Sequence, residues 1–164
     1  MFDSETLALA EAALAACRAR NWHVATAESC TGGLVAAALT AIAGSSDVVE
    51  RGFVAYSNEA KIQLLGVPAD TIAGHGAVSS QTAVAMARGA VARAGVDLAV
   101  SVTGIAGPGG GTPEKPEGFM CFGIATSAAA RSECLHVPGA NRTEIRHAAM
   151  SYALHLLAVA ARAG

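Results

Sequence analysis

In Glu28-Ser29-Cys30-Thr31-Gly32-Gly33 a carboxylate, two hydroxyls and a thiol stand beside two glycines. Upstream, Trp22, Val24 and Ala25 suit a short buried strand, and downstream Leu34 to Ile42 is a near-unbroken apolar run that reads as a buried helix. The stretch is therefore a strand-to-helix turn. The first N–H groups of a helix lack partners there, which favours an anion or the oxyanion of an acyl-transfer intermediate. Glycine at 32 and 33 lets a ligand approach the backbone closely. A simpler reading of the same residues is that Ser29 or Thr31 only caps the helix.

A serine nucleophile needs a base. The chain has two lysines, Lys61 and Lys115, against nine arginines. Asn58 is a predicted N-cap, which puts Lys61 in the first turn of its helix, where the macrodipole disfavours an ammonium. A neutral amine accepts a proton from a serine hydroxyl, the Ser-Lys form of nucleophilic catalysis. The bland alternative is a solvated surface lysine. Of the five histidines, only His75, between Gly74 and Gly76 in a loop of mobile composition, is placed like an active-site residue, and an exposed loop histidine is the favoured reading of it. Cys30 with His75 would make a cysteine hydrolase. Adjacent turn residues point apart, however, and cysteine is the more often buried type. No histidine stands in a metal-ligand spacing, so no metal site is assigned.

A second glycine-rich stretch, Thr103 to Gly111, follows Asp97-Leu98-Ala99-Val100-Ser101-Val102-Thr103, the strongest strand in the sequence. Ligands of open α/β sheets bind beyond the carboxyl ends of strands, so two such loops side by side make a pocket. Neither loop matches a dinucleotide fingerprint or a P-loop. A phosphate cradle of another design stays open, with backbone N–H groups and Arg142 as donors; so does a plain surface loop.

The elements that position these residues follow the hydrophobic pattern. Asp3 or Ser4 caps a first helix carrying Leu7, Ala10, Leu14 and Cys17, ending near Arg20-Asn21. After the Ser29 turn and the Leu34 helix, Ala43 to Asp47 is turn chemistry. Gly52 to Tyr56 reads as a strand, and Glu59 to Leu65 as a helix stopped by Gly66 and Pro68. Ser79 or Ser80 opens a helix with Val84, Ala87 and Val91 on one face, up to Gly95. Strands over Gly118 to Thr126 and Glu133 to Val137 form a hairpin. Asn141, with Glu144 three residues on as a capping box, starts a final helix presenting Ile145, Ala149, Tyr152, Leu156 and Val159. The predicted fold is one layered α/β/α domain over residues 1–164, with a mixed, mostly parallel sheet and a late β-hairpin.

Composition narrows the class. Over 164 residues, 52% are hydrophobic, and no run is long and apolar enough to span a bilayer. Met1 to Glu5 has no basic run, so no signal peptide is expected. The four cysteines, Cys17, Cys30, Cys121 and Cys134, lie far apart with no C-x-x-C, which argues against a disulfide framework and for a reducing cytoplasm. A net charge of −2 is no nucleic-acid footprint. The apolar face of the terminal helices is compatible with a homodimer or higher homo-oligomer and is explained as well by the domain's own core.

Ala27 to Gly33, Ala43-Gly44-Ser45-Ser46, Tyr56-Ser57-Asn58-Glu59-Ala60-Lys61, Gly66-Val67, His75-Gly76-Ala77-Val78-Ser79 and Ser101 to Pro108 together resemble the CinA C-terminal domain family, the nicotinamide-nucleotide amidases. The likeness runs the length of the chain and is to the stand-alone form. It implies hydrolysis of the carboxamide of nicotinamide mononucleotide to nicotinate mononucleotide and ammonia, with no cofactor, no metal, and no nucleic-acid or membrane partner. Ser29 would be the nucleophile and Lys61 its base. Tyr56 would orient the pair or donate to the intermediate, and the amides of Thr31, Gly32 and Gly33 would hold the oxyanion. Thr103 and Gly104 would line the nicotinamide side, while Arg142 and the Gly107 to Gly111 loop would meet the ribose phosphate. Glu28 and Asn58 complete the substrate-contacting set, and Ser46 is either a contact or a rival nucleophile. Pro116-Glu117-Gly118-Phe119-Met120 departs from the family's Pro-Val-Gly-Thr-Val, which bears on substrate fit. The family's association with competence and DNA damage keeps a non-catalytic, nucleotide-binding regulatory module as the alternative.

Overall fold

In the computed structural model, which describes residues 1–163, Asp3 accepts the Thr6 amide at 2.7 Å and so starts helix α1 (Ser4–Arg18). Strand β1 (Val24–Glu28) is buried on both faces and leads through the Ser29 turn into α2 (Leu34–Thr40). Edge strand β2 (Val49–Val54) precedes α3 (Asn58–Leu65), α4 (Ala69–His75) and α5 (Ser80–Ala94). Strand β3 (Leu98–Gly104), the hairpin β4 (Phe119–Ala125) and β5 (Ala130–His136), and α6 (Arg142–Ala163) complete the chain.

The sheet order is β2-β1-β3-β4-β5. β1 pairs in parallel with β2 and β3, whereas β3-β4 and β4-β5 are antiparallel. This is the expected mixed sheet with its late hairpin. Alternation along the strands sends Val24, Val100, Val102 and Phe122 to one face, under α1, α2 and α6. Ala25, Ala27 and Ala99 go to the other, where they meet Met86, Ala87 and Ala90 of α5 and Leu65 of α3. Small residues on that second face let α5 lie close to the sheet. The apolar stripes of α1 and α6 pack on each other within the first cluster, so the domain's own core takes up the face they share. No helix is long and apolar enough to cross a membrane, among the described residues.

Four expectations change. Ser57, not Asn58, caps α3, its hydroxyl accepting the Ala60 amide at 3.0 Å. Gly74 and His75 lie in helix α4 rather than in a loop; a seven-residue helix with an internal glycine leaves little periodicity to read. The capping box of α6 is present, but Glu144 reaches back to the Ala140 amide while the Asn141 carbonyl-type oxygen accepts from Glu144 N. Finally, Cys121 and Cys134 face each other in the β4-β5 register and are joined by a disulfide, an adjacency the hairpin creates between residues 13 apart in sequence. That pairing removes the cysteine-based argument for a reducing compartment. Cys17 and Cys30 remain free and buried.

Candidate active site

β1 runs outward to β2 on one side and is flanked by β3 on the other, so the strand order reverses between β1 and β3. Ser29 follows β1 and Ile105 follows β3, at the carboxyl ends where such sheets open a crevice. The Ser29 amide extends the ladder by donating to the Val102 carbonyl at 2.9 Å. A cleft of about 240 Å³ opens there, lined by Ser29, Cys30, Tyr56, Asn58, Lys61, Thr103, Gly104 and Arg142, with Ala77, Val78 and Ala106 as apolar wall.

The centre of the cleft is a pair brought together from residues 32 positions apart: Lys61 Nζ lies 3.0 Å from Ser29 Oγ. Lys61 is 1% exposed and Ser29 8% exposed. Nζ also donates to the Ala55 and Tyr56 carbonyls, each at 3.2 Å. Two carbonyls therefore take two N–H bonds, and in the neutral amine the lone pair is left for the serine hydroxyl. Burial lowers the Lys61 pKa below the ordinary lysine value, opposed by the proximity of Cys30. The direction is the expected one, but its leading cause is desolvation and not the helix dipole: with Ser57 as cap, Lys61 is already the fourth residue of α3. A serine hydroxyl against a buried amine of lowered pKa is an arrangement that can serve as a nucleophile with its base.

The turn itself assigns its amides differently from the sequence reading. Gly32 N donates to the Ser29 carbonyl at 3.0 Å and closes a tight turn, and Gly32 and Gly33, with φ of 60° and 97°, occupy the left-handed region that the turn requires. Gly33, Val35 and Ala36 all donate to the Glu28 carboxylate, at 3.0, 3.1 and 2.9 Å. Glu28 is thus a cap for α2, a helix whose own N-cap is glycine, and not a substrate contact. Gly32 and Gly33 are withdrawn from the oxyanion set, because their N–H groups are already used. The Cys30 amide makes no backbone hydrogen bond and Cys30 lines the cleft, whereas Thr31 is fully buried and does not line it, so Thr31 too leaves the expected contact set.

Arg142, first residue of α6, donates to the Gly107 carbonyl at 2.6 Å and to the Tyr56 hydroxyl at 2.9 Å. Tyr56 is 60% exposed and meets the pair through its carbonyl, while its ring reaches Arg142. Thr103 Oγ1 donates to the Ala77 carbonyl at 2.8 Å and so fixes the wall opposite Ser29. Gly107 supplies a carbonyl to Arg142 and does not line the cleft.

The Ser46 expectation is corrected, and the rival Cys30–His75 reading falls away. Ser46 is exposed in a short turn (Ser45–Asp47) beside Val48, whose carbonyl accepts from Val24 at the amino end of β1. It is at the wrong end of the sheet to serve as contact or nucleophile. Cys30 is no rival either: burial pushes its thiol up to about 12, and its Sγ packs on Met120 Sδ at 3.5 Å. His75 is exposed at the end of α4 and does not line the cleft. The departure at 117–120 also lies outside it, since Glu117 accepts the Gly109 amide at 2.6 Å and Met120 is fully buried.

Two functional neighbours were missed. Lys115 donates to the Val78 carbonyl at 2.6 Å and to the His75 carbonyl at 3.3 Å, holding the Ala77-Val78 wall. Arg146 donates to the Cys30 and Thr31 carbonyls, both at 2.9 Å. Its one sequence signal was its place a helical turn after Arg142.

Fold and site together define a three-layer α/β domain with a buried serine–lysine pair at its topological switch point. The model of the CinA C-terminal domain matches residues 6–160, and the chain belongs to that family. The nicotinamide-nucleotide amidohydrolase PncC of Escherichia coli K12 is 51% identical over 160 residues, covering 96% of this chain and 95% of its own length. A CinA-like protein of Mycolicibacterium vanbaalenii is 56% identical over 135 residues, but the match spans 82% of this chain and 32% of that longer protein. The crystal structure of the competence/damage inducible protein CihA from Agrobacterium tumefaciens superposes with a TM-score of 0.93 at 46% identity, covering 98% of both chains.

Proposed function

We propose that this chain is a serine amidohydrolase that converts nicotinamide mononucleotide to nicotinate mononucleotide and ammonia. The observation that carries the reading is the buried Lys61 Nζ, 3.0 Å from Ser29 Oγ with its other protons tied to two carbonyls. The amidohydrolase name of the E. coli relative, which this chain matches over nearly its full length, supports the substrate.

In the first half-reaction Ser29 Oγ bonds to the carboxamide carbon while its proton passes to the Lys61 amine. The charge that develops on the amide oxygen is met by the turn, with the N–H of Cys30, which lines the cleft, free for it. The Lys61 ammonium then protonates the leaving nitrogen, the C–N bond breaks, and ammonia departs to leave an ester on Ser29. Water adds to that ester with Lys61 as base again, and the proton returns to Ser29 Oγ as the acid leaves. Arg142, paired in the free protein with neutral acceptors only, is the cation that receives the phosphate.

The phosphate part of the proposal is tested by comparing nicotinamide mononucleotide with its riboside. We expect the wild type to prefer the nucleotide by about 100-fold in kcat/KM, a value suited to one charge-assisted contact pair. Arg142→Ala should erase that preference and leave turnover of the riboside unchanged. Equal rates for both substrates in the wild type would contradict the assignment of Arg142.

A further inference from the structure

Arg146 stands outside the cleft and yet holds the turn that carries the nucleophile. Its Nε and Nη2 donate to the carbonyls of Cys30 and Thr31, both at 2.9 Å and from 116 and 115 residues away in sequence. Among the described residues it pairs with no carboxylate, so a half-buried guanidinium is committed to two neutral backbone oxygens. A Cβ at position 32 would come within 3.2 Å of Arg146 Nη2, a tight contact that glycine avoids.

A peptide unit is planar and trans, so its C=O and the following N–H point in opposite directions. The Cys30 carbonyl and the Thr31 N–H belong to one such plane. With the carbonyl drawn towards α6, the Thr31 N–H is turned away from α6; Thr31 is fully buried and does not line the cleft. The next plane joins the Thr31 carbonyl, also on Arg146, to the Gly32 N–H that closes the turn on the Ser29 carbonyl. A cation on a carbonyl also polarises the peptide and makes its N–H a stronger donor.

The Ser29 carbonyl shares its peptide plane with the N–H of Cys30, a residue that lines the cleft. We propose that Arg146 is a positioning residue for amide hydrolysis: by clamping the Cys30 and Thr31 carbonyls it fixes the turn, and with it the Cys30 N–H as a donor to the oxyanion. This rests on the reading of Ser29 as an amidase nucleophile. Two readouts separate the clamp from that reading: ammonia release from nicotinamide mononucleotide, and the rate at which a fluorophosphonate labels Ser29. The second draws on the same oxyanion donors without depending on that substrate.

For Arg146→Ala we expect kcat to fall by about 100-fold and labelling to slow similarly, as for loss of an oxyanion donor, with KM changed by less than about threefold. Millimolar guanidinium should restore both rates by about tenfold, a rescue that a merely loosened fold does not show. Should the alanine variant fail to fold, Arg146→Lys, which keeps one donor, should lose about tenfold in both rates. Wild-type rates in the variant, a loss confined to KM, or a loss that guanidinium leaves untouched would overturn the clamp. If the wild type labels but releases no ammonia from the nucleotide, the substrate reading fails and labelling alone decides the clamp. If Ser29 does not label in the wild type, the nucleophile reading and the clamp fall together.

Discussion

Lys61 can be a base only while its amine is neutral, and its surroundings favour that state at a cost to any bound proton. Desolvation is the leading cause, and the Ala55 and Tyr56 carbonyls orient what remains. The sign for activity follows. The protonated amine is inactive, so kcat/KM should rise with pH and level off above the Lys61 pKa. Because that pKa is lowered from the ordinary 10.5, the plateau should begin below the range of an exposed lysine. A rate profile that still climbed through pH 10.5 would contradict the assignment. At this scale the sequence was informative about Ser29 and Lys61, because a hydroxyl before paired glycines and a rare lysine each stand out by type. It was uninformative about Glu28 and Arg146. A carboxylate beside a serine looks like a ligand contact until three α2 amides are seen to take it, and Arg146 acts on residues more than a hundred positions away.

At the scale of elements, the Ser-Lys distance depends on how α3 sits against α5, since α3 carries Lys61. Gly89 of α5 faces the Leu65 carbonyl at the end of α3, and a Cβ there would overlap that oxygen. Gly89→Ala should push the two helices apart and destabilise the fold by about 1–3 kcal/mol, as overpacking does, read as a lower urea midpoint at unchanged slope. It should also lower kcat, because Lys61 lies one turn from the contact. Retained stability and kcat would show that α3 is held by other contacts. The helices with clear caps and stripes, α1, α5 and α6, were legible in the sequence for that reason. α4 was not, being about two turns with glycine inside.

For the molecule as a whole, the alternation of strands and helices disclosed the layered class, but strand order is set by pairing between distant segments and was not readable. The same holds for the Cys121–Cys134 disulfide, which exists only because β4 and β5 pair. It closes a loop between residues 13 apart, for which chain entropy gives about 3 kcal/mol. Reduction should lower the unfolding midpoint accordingly and leave turnover unchanged, since neither cysteine lines the cleft; loss of activity at retained stability would contradict this. Ammonia release from nicotinamide mononucleotide decides whether the Ser29–Lys61 pair hydrolyses the carboxamide of a nucleotide. Wild type is run beside folded Ser29→Ala and Lys61→Arg, with nucleotide binding measured on all three. Arginine keeps N–H donors but is permanently charged and cannot act as base, and the expected loss is on the order of 10⁴-fold in kcat for both variants, with Ser29→Ala still binding. A wild type that binds the nucleotide and releases no ammonia, or a Ser29→Ala variant that turns over normally, would contradict that role for the pair.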